Sequence, residues 1–130
     1  MVNILLASHS KKLVEGLQEI IVQMTPDLNL RISGGDVDGN LGSNFEEIFS
    51  IIDELSNDDG LIIFFDLGSS MMNCQMAIEM LDDSKKSKVF LSGAPMIESS
   101  VQIAVEAASG SSFDELIEVL DSFQYNKLDM

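Results

Sequence analysis

Two short segments of this chain place chemically capable residues directly behind apolar runs: Ser8-His9-Ser10, after Val2-Asn3-Ile4-Leu5-Leu6-Ala7, and Asp66-Leu67-Gly68-Ser69-Ser70, after Leu61-Ile62-Ile63-Phe64-Phe65. His9 is the only histidine. An imidazole behind a strand and ahead of a helix suits anion chemistry, because the first N–H groups of a helix and its dipole favour negative charge. The amides of Ser10, Lys11 and Lys12 open such a helix. As a general base His9 lacks a nucleophile to activate, since Ser8 and Ser10 are its own neighbours and form no Gly-x-Ser-x-Gly elbow. As a phosphatase centre it would need several cationic groups, and Arg31 is the only arginine. A nucleophilic imidazole that accepts a phosphoryl group fits what remains. Asp66 would then sit on the other ring nitrogen, fixing the tautomer and stabilising the developing positive charge. Ser10, Gly68, Ser69 and Ser70 are the expected donors to the phosphoryl oxygens, although Ser69 equally suits a helix cap and Asp66 a strand-end turn.

These residues need a scaffold that brings two strand ends together. Leu13, Leu17, Ile20, Ile21 and Met24 recur three and four apart, which reads as an amphipathic helix. Leu28–Ser33 alternates as a half-buried strand, and four glycines then punctuate the loop over 34–42. Ser43 with Glu46 reads as a capping box opening a helix through Phe45, Ile48, Phe49, Ile52 and Leu55. The apolar run Leu61–Phe65 reads as a central strand buried on both faces. A helix follows, bearing Met72, Met76 and Met80, which are expected in the core. Lys88–Gly93 is a fourth strand, and Pro95 opens a helix with Ile97, Val101, Ile103, Ala104 and Ala108. Ser112 and Glu115 cap a last helix. Such alternation predicts an α/β three-layer sandwich, with a mostly parallel sheet of about four strands and helices on both faces. Its carboxyl edge would carry both His9 and Asp66.

Composition bounds the reading. The 130 residues suit a single domain, 1–130. Against 22 acids stand 7 basic residues, for a formal charge of -15, which disfavours nucleic acid and anionic membrane surfaces and favours basic protein partners. No apolar run approaches a membrane span, and the start lacks a secretory signal, so a cytoplasmic location is expected. One cysteine and one histidine leave too few soft ligands for zinc, and no metal is expected. Asp36, Asp38, Asn40 and Glu47 match part of a calcium-loop spacing, but Leu41 stands where the loop needs glycine. Cys74 reads as a buried structural residue. No phosphate-binding loop or kinase-type glycine loop is present, so the phosphoryl group must come from another protein.

Three segments together are similar to a known family. Ser8-His9-Ser10, Gly34-Gly35-x-x-Asp38-Gly39-x-Leu41-Gly42-Ser43 and Asp66-Leu67-Gly68-Ser69-Ser70-Met71-x-Asn73 resemble the mannose-type IIA domains of the bacterial phosphotransferase system. The loop with Asp38-Gly39 resembles more narrowly the phosphotransferase subunits of the dihydroxyacetone kinases that draw on that system. The resemblance implies that His9 takes phosphate on Nε2 from the histidine-containing phosphocarrier protein, with Asp66 as the supporting carboxylate. It implies as acceptor the ADP held in a nucleotide-binding kinase subunit, so that ADP/ATP and Mg belong to that partner and this chain binds no cofactor. It also implies a homodimer and, as relatives with fused phosphocarrier domains are longer, a donor that is a separate protein. A IIA component passing phosphate to a transporter IIB domain remains the alternative. A receiver-like or flavodoxin-like module fits less well: Ala7-Ser8-His9 stands where a receiver needs acids, and Lys11-Lys12-Leu13 interrupts a flavodoxin phosphate loop.

Overall fold

The computed structural model describes residues 1–124 and 126–129. Strands β1 (Asn3–Ser8), β2 (Leu30–Gly34), β3 (Leu61–Phe65) and β4 (Val89–Ser92) form one parallel sheet in the order β2-β1-β3-β4. Helices α1 (Lys11–Met24), α2 (Phe45–Leu55), α3 (Gly68–Glu79), the short α4 (Asp83–Lys86), α5 (Met96–Ala108) and α6 (Phe113–Asp121) connect and follow the strands. The expected α/β sandwich is therefore the observed fold.

Strand alternation sorts the core into two layers. Ile4, Leu6, Ile62 and Phe64 point to one face, where Val14, Leu17 and Ile21 of α1, Ile103 and Ala104 of α5 and Leu116 of α6 cover them. Leu5, Ala7, Leu61 and Ile63 point to the other, against Ile48, Ile51 and Ile52 of α2 and Cys74 and Ala77 of α3. Both central strands are buried on both faces, as parallel strands between helical layers must be.

Several local expectations are corrected. The buried stripe of α1 is Val14, Leu17 and Ile21, while Leu13, Ile20 and Met24 lie on the surface. In α5, Ile97 and Ala108 are exposed. Met72, Met76 and Met80 are more than half exposed, because α3 turns its small residues Ser70, Cys74 and Ala77 toward the sheet. The cap of α2 is Asn44, whose side chain accepts from the Glu47 N–H; Ser43 instead accepts a hydrogen bond from Asn73 Nδ2 at 2.8 Å, tying the start of α2 to α3. The capping box of Ser112 and Glu115 is present as expected. No helix among the described residues is long and apolar enough to cross a membrane.

Candidate functional site

Strand order reverses between β1 and β3: the chain passes from β1 to β2 on one side and then to β3 on the other. The carboxyl ends of β1 and β3 consequently diverge into a crevice, the usual ligand position of an open α/β sheet. His9 follows β1 and Asp66 follows β3, and the pairing of Ala7 with Phe65 sets Asp66 level with Ser8, one residue before His9.

Asp66 grips the turn after β1. One carboxylate oxygen accepts from the Ser8 hydroxyl at 2.6 Å, and both lie 3.2 Å from the His9 N–H. The Leu67 N–H adds a bond at 2.7 Å. Ser8 Oγ in turn accepts from the Ser10 N–H at 2.9 Å, and the His9 carbonyl accepts from the Gly42 N–H at 2.9 Å. These bonds fix the backbone of His9 at both its N–H and its carbonyl. The expected bond from Asp66 to a ring nitrogen of His9 is not formed: the hydrogen bonds of Asp66 run to Ser8, the His9 backbone and Leu67, and the ring atom Nδ1 faces Ser69 Oγ at 3.4 Å instead. Ser69 thus comes to the imidazole from the first turn of α3. Sequence reasoning gave the buried Ser8 no role, yet it links Asp66 to the start of α1. Its position between an apolar strand and the lone histidine was the available signal.

The remaining candidates fall in different places. Ser10 caps α1, its hydroxyl accepting from the Leu13 N–H at 3.3 Å. Gly68 and Ser69 are exposed, whereas Ser70 is fully buried and its hydroxyl has no hydrogen-bond partner among the described residues. Gly34 lets β2 end against α1: a Cβ there would lie 2.6–2.8 Å from Val14 Cγ2, the Ser10 carbonyl and the Lys11 Cα. Asp36 uses its carboxylate within its own loop, accepting from the N–H groups of Asp38 and Asn40. Among the described residues no group of three or more His, Cys, Asp and Glu side chains could hold a metal ion. Cys74 is buried, and burial pushes its thiol up to about 12, so it stays protonated at neutral pH.

A ring whose Nδ1 proton is donated to a hydroxyl keeps the lone pair of Nε2 for an electrophile. Around it lie two helix N-termini, those of α1 and α3, whose free N–H groups suit an anion. Beside Asp66 runs a largely apolar groove lined by Leu13, Phe65, Ala94, Pro95 and Ile97, with Glu98 at its margin.

The model of the family described as the phosphotransferase-system fructose IIA component, EIIA-man, matches residues 3–117. The chain belongs to that family. This EIIA-man chain is 36% identical over 121 residues to the phosphoryl donor subunit DhaM of PEP-dependent dihydroxyacetone kinase 2 from Listeria innocua, covering 92% of this chain and 97% of that one. It is 31% identical over 124 residues to the phosphotransferase subunit DhaM of the PTS-dependent dihydroxyacetone kinase of Lactococcus lactis, covering 95% and 97%. The DhaM of Escherichia coli is 31% identical over 121 residues, but this chain spans only 26% of its length. A solved crystal structure of a protein of unknown function superposes with a TM-score of 0.83 at 33% identity, covering 95% of this chain and 96% of that one.

Proposed function

We propose that this EIIA-man chain is a phosphoryl relay subunit of a dihydroxyacetone kinase. In this reading, His9 Nε2 accepts phosphate from the histidine-containing phosphocarrier protein and passes it to ADP in the nucleotide-binding kinase subunit. The observation that carries the reading is the Ser69 hydroxyl 3.4 Å from Nδ1: in the tautomer with the proton on that nitrogen, Ser69 Oγ accepts it and Nε2 keeps its lone pair for the phosphoryl group. The nucleophile is then the Nε2 lone pair, and the positive charge that develops on the ring is shared with Ser69 through Nδ1–H. Asp66 acts as a positioning residue: it holds the Ser8 hydroxyl and the His9 N–H, so the imidazole leaves the rim in one direction. N–H groups at the start of α3, from Gly68 and Ser69, and the Ser10 end of α1 would face the phosphoryl oxygens. Buried Ser70 can reach them only if its side chain leaves the core.

The names of the Listeria and Lactococcus relatives support the kinase acceptor. ADP/ATP and Mg are assigned to that acceptor subunit, none to residues 1–130, which are read as one phosphoryl-carrier domain working in the cytoplasm as a homodimer. The family description, a IIA component, favours the second reading, in which phosphate passes to a transporter IIB domain. One experiment tests the relay and separates the acceptors. With phosphoenolpyruvate, its phosphotransferase and the phosphocarrier, the chain should take up one acid-labile, base-stable phosphate that His9→Ala abolishes. Its rapid loss to the ADP-loaded kinase subunit is expected. Absence of uptake overturns the relay, and loss only to a IIB domain overturns the kinase assignment.

A further inference from the structure

The seven basic side chains divide in a way that the net charge hides. Arg31 pairs with Glu54, Lys85 with Asp53, Lys86 with Asp83, Lys88 with Asp58 and Lys127 with Glu98. Lys11 and Lys12 are the two with no ion pair among the described residues, although 22 acids are available to the chain. Both are exposed, and both stand in the first turn of α1, two and three residues after His9. That is the helix end at which positive charge is unfavourable. Elsewhere the chain obeys the preference, with Glu46 and Glu47 opening α2, Glu98 opening α5, and Asp114 and Glu115 opening α6. Two cations therefore stand where they weaken their own helix and where no carboxylate among the described residues is within ion-pair distance, Asp36 and Glu47 being across the cleft that Lys11 borders. Helical Cα–Cβ bonds tilt toward the N-terminus, so first-turn side chains lean past the helix end, which lies at the same carboxyl edge of the sheet as His9; the cleft that Lys11 borders lies over the loop after β2. The flexible stem of lysine lets its ammonium settle on an anion at that rim.

We propose that Lys11 and Lys12 supply the countercharge for the phosphoryl group on His9 and so set how far the transfer equilibrium lies toward the charged protein. The inference rests on the relay reading. During uptake the P–N bond of the donor breaks, its electron pair returning to the donor's imidazole, while the Nε2 lone pair forms the new P–N bond and the Nδ1 proton stays in place. A phosphoryl dianion then stands on a protein of formal charge -15, which repels it. The two ammonium groups offset that repulsion locally. Discharge reverses the charge flow: the P–N electron pair returns to Nε2 as the P–O bond to the acceptor forms, and the lysines are again without an anion.

An equilibrium measurement isolates this effect, because a change that only alters docking moves forward and reverse rates together. Phosphocarrier charged with labelled phosphate and freed of its phosphotransferase is mixed with the full chain, and the label on each protein is read at equilibrium. An exposed charge pair at contact distance in water corresponds to roughly a fivefold change, so the variant K11Q/K12Q should hold phosphate about tenfold or more less favourably than the parent. The variant K11R/K12R should stay within about twofold of the parent, as should K86Q, which removes a cation at the far edge of the sheet. The Tm of unphosphorylated K11Q/K12Q should equal or exceed the parental value, since helix α1 loses an unfavourable charge arrangement. An unmoved equilibrium in K11Q/K12Q, or an equal shift in K86Q, overturns the proposal while leaving the relay intact. A fall in Tm would assign the pair a structural role instead. Failure of the parent itself to load overturns the relay and this inference with it.

Discussion

The two edges of the sheet are built on opposite plans. At the amino edge, the side chain of buried Asn3 reaches the Leu55 carbonyl, Asn57 Oδ1 and the Gly60 carbonyl, and accepts from Asn29 at 2.7 Å. Lys88 binds Asp58 nearby, and this hydrogen bond holds the Asp58 carboxyl below its ordinary range. Polar groups there satisfy one another across three loops. At the carboxyl edge, the bonds of Asp66 fix the backbone around His9, but the polar and cationic side chains beyond it remain exposed: Ser69, Lys11 and Lys12. One edge is closed by its own hydrogen bonds, and the other holds its backbone still while leaving donors for a ligand. A site that must receive and release an anion needs the second plan, and a fold that tolerates it needs the first.

Four substitutions test this division. The largest effect is expected at the junction of backbone and ring. Asp66→Ala should slow phosphate uptake by about 10²-fold, the order for losing a group that positions a reacting side chain; uptake at the parental rate would remove Asp66 from the mechanism. Next is Asn3→Ala, which takes the side-chain donor from the Leu55 carbonyl and the acceptor from Asn29, while the Gly60 carbonyl keeps the Asn3 N–H, and should cost about 1–3 kcal/mol in denaturant unfolding. Its transfer rate, measured where the protein is folded, should stay parental, and a slowed rate would mean the two edges are coupled. Ser69→Ala removes one neutral hydrogen bond to the ring and should slow uptake roughly threefold to tenfold. A parental rate would take Ser69 out of the reaction. Ser70→Ala should change uptake least, within about twofold, and should raise stability slightly because a buried hydroxyl without a partner is lost. A loss like that of Ser69→Ala would instead bring Ser70 to the phosphoryl group.

What could be read from the sequence follows the range of the physics involved. Strand and helix alternation, the burial of Leu61–Phe65 and the Ser112 capping box depend on neighbours in the chain, and each appears in the structure as expected. The cap of α2 does not: Ser43 and Asn44 are both good caps, and the choice is made by Asn73, thirty residues away, which takes the Ser43 hydroxyl. The methionines of α3 mislead because hydrophobic spacing weighs large side chains, whereas the face turned inward is the one small enough to approach the sheet. At the site, strand ends foretold that His9 and Asp66 would share a rim. Which atoms meet depends on the turn between β1 and α1, and that turn presents the His9 N–H and the Ser8 hydroxyl to Asp66 while α3 brings Ser69 to the ring.

The thin layer beneath α3 carries a mechanical consequence. Ser70, Cys74 and Ala77 set the height of that helix above the sheet, and Ser69 rides on its first turn. A spacer of a few small side chains thus determines the gap between a hydroxyl on one element and an imidazole on another. Thickening the spacer by a methyl group or two at Ala77 would lift the helix like a shim under a lever, widening that gap without altering any residue at the rim.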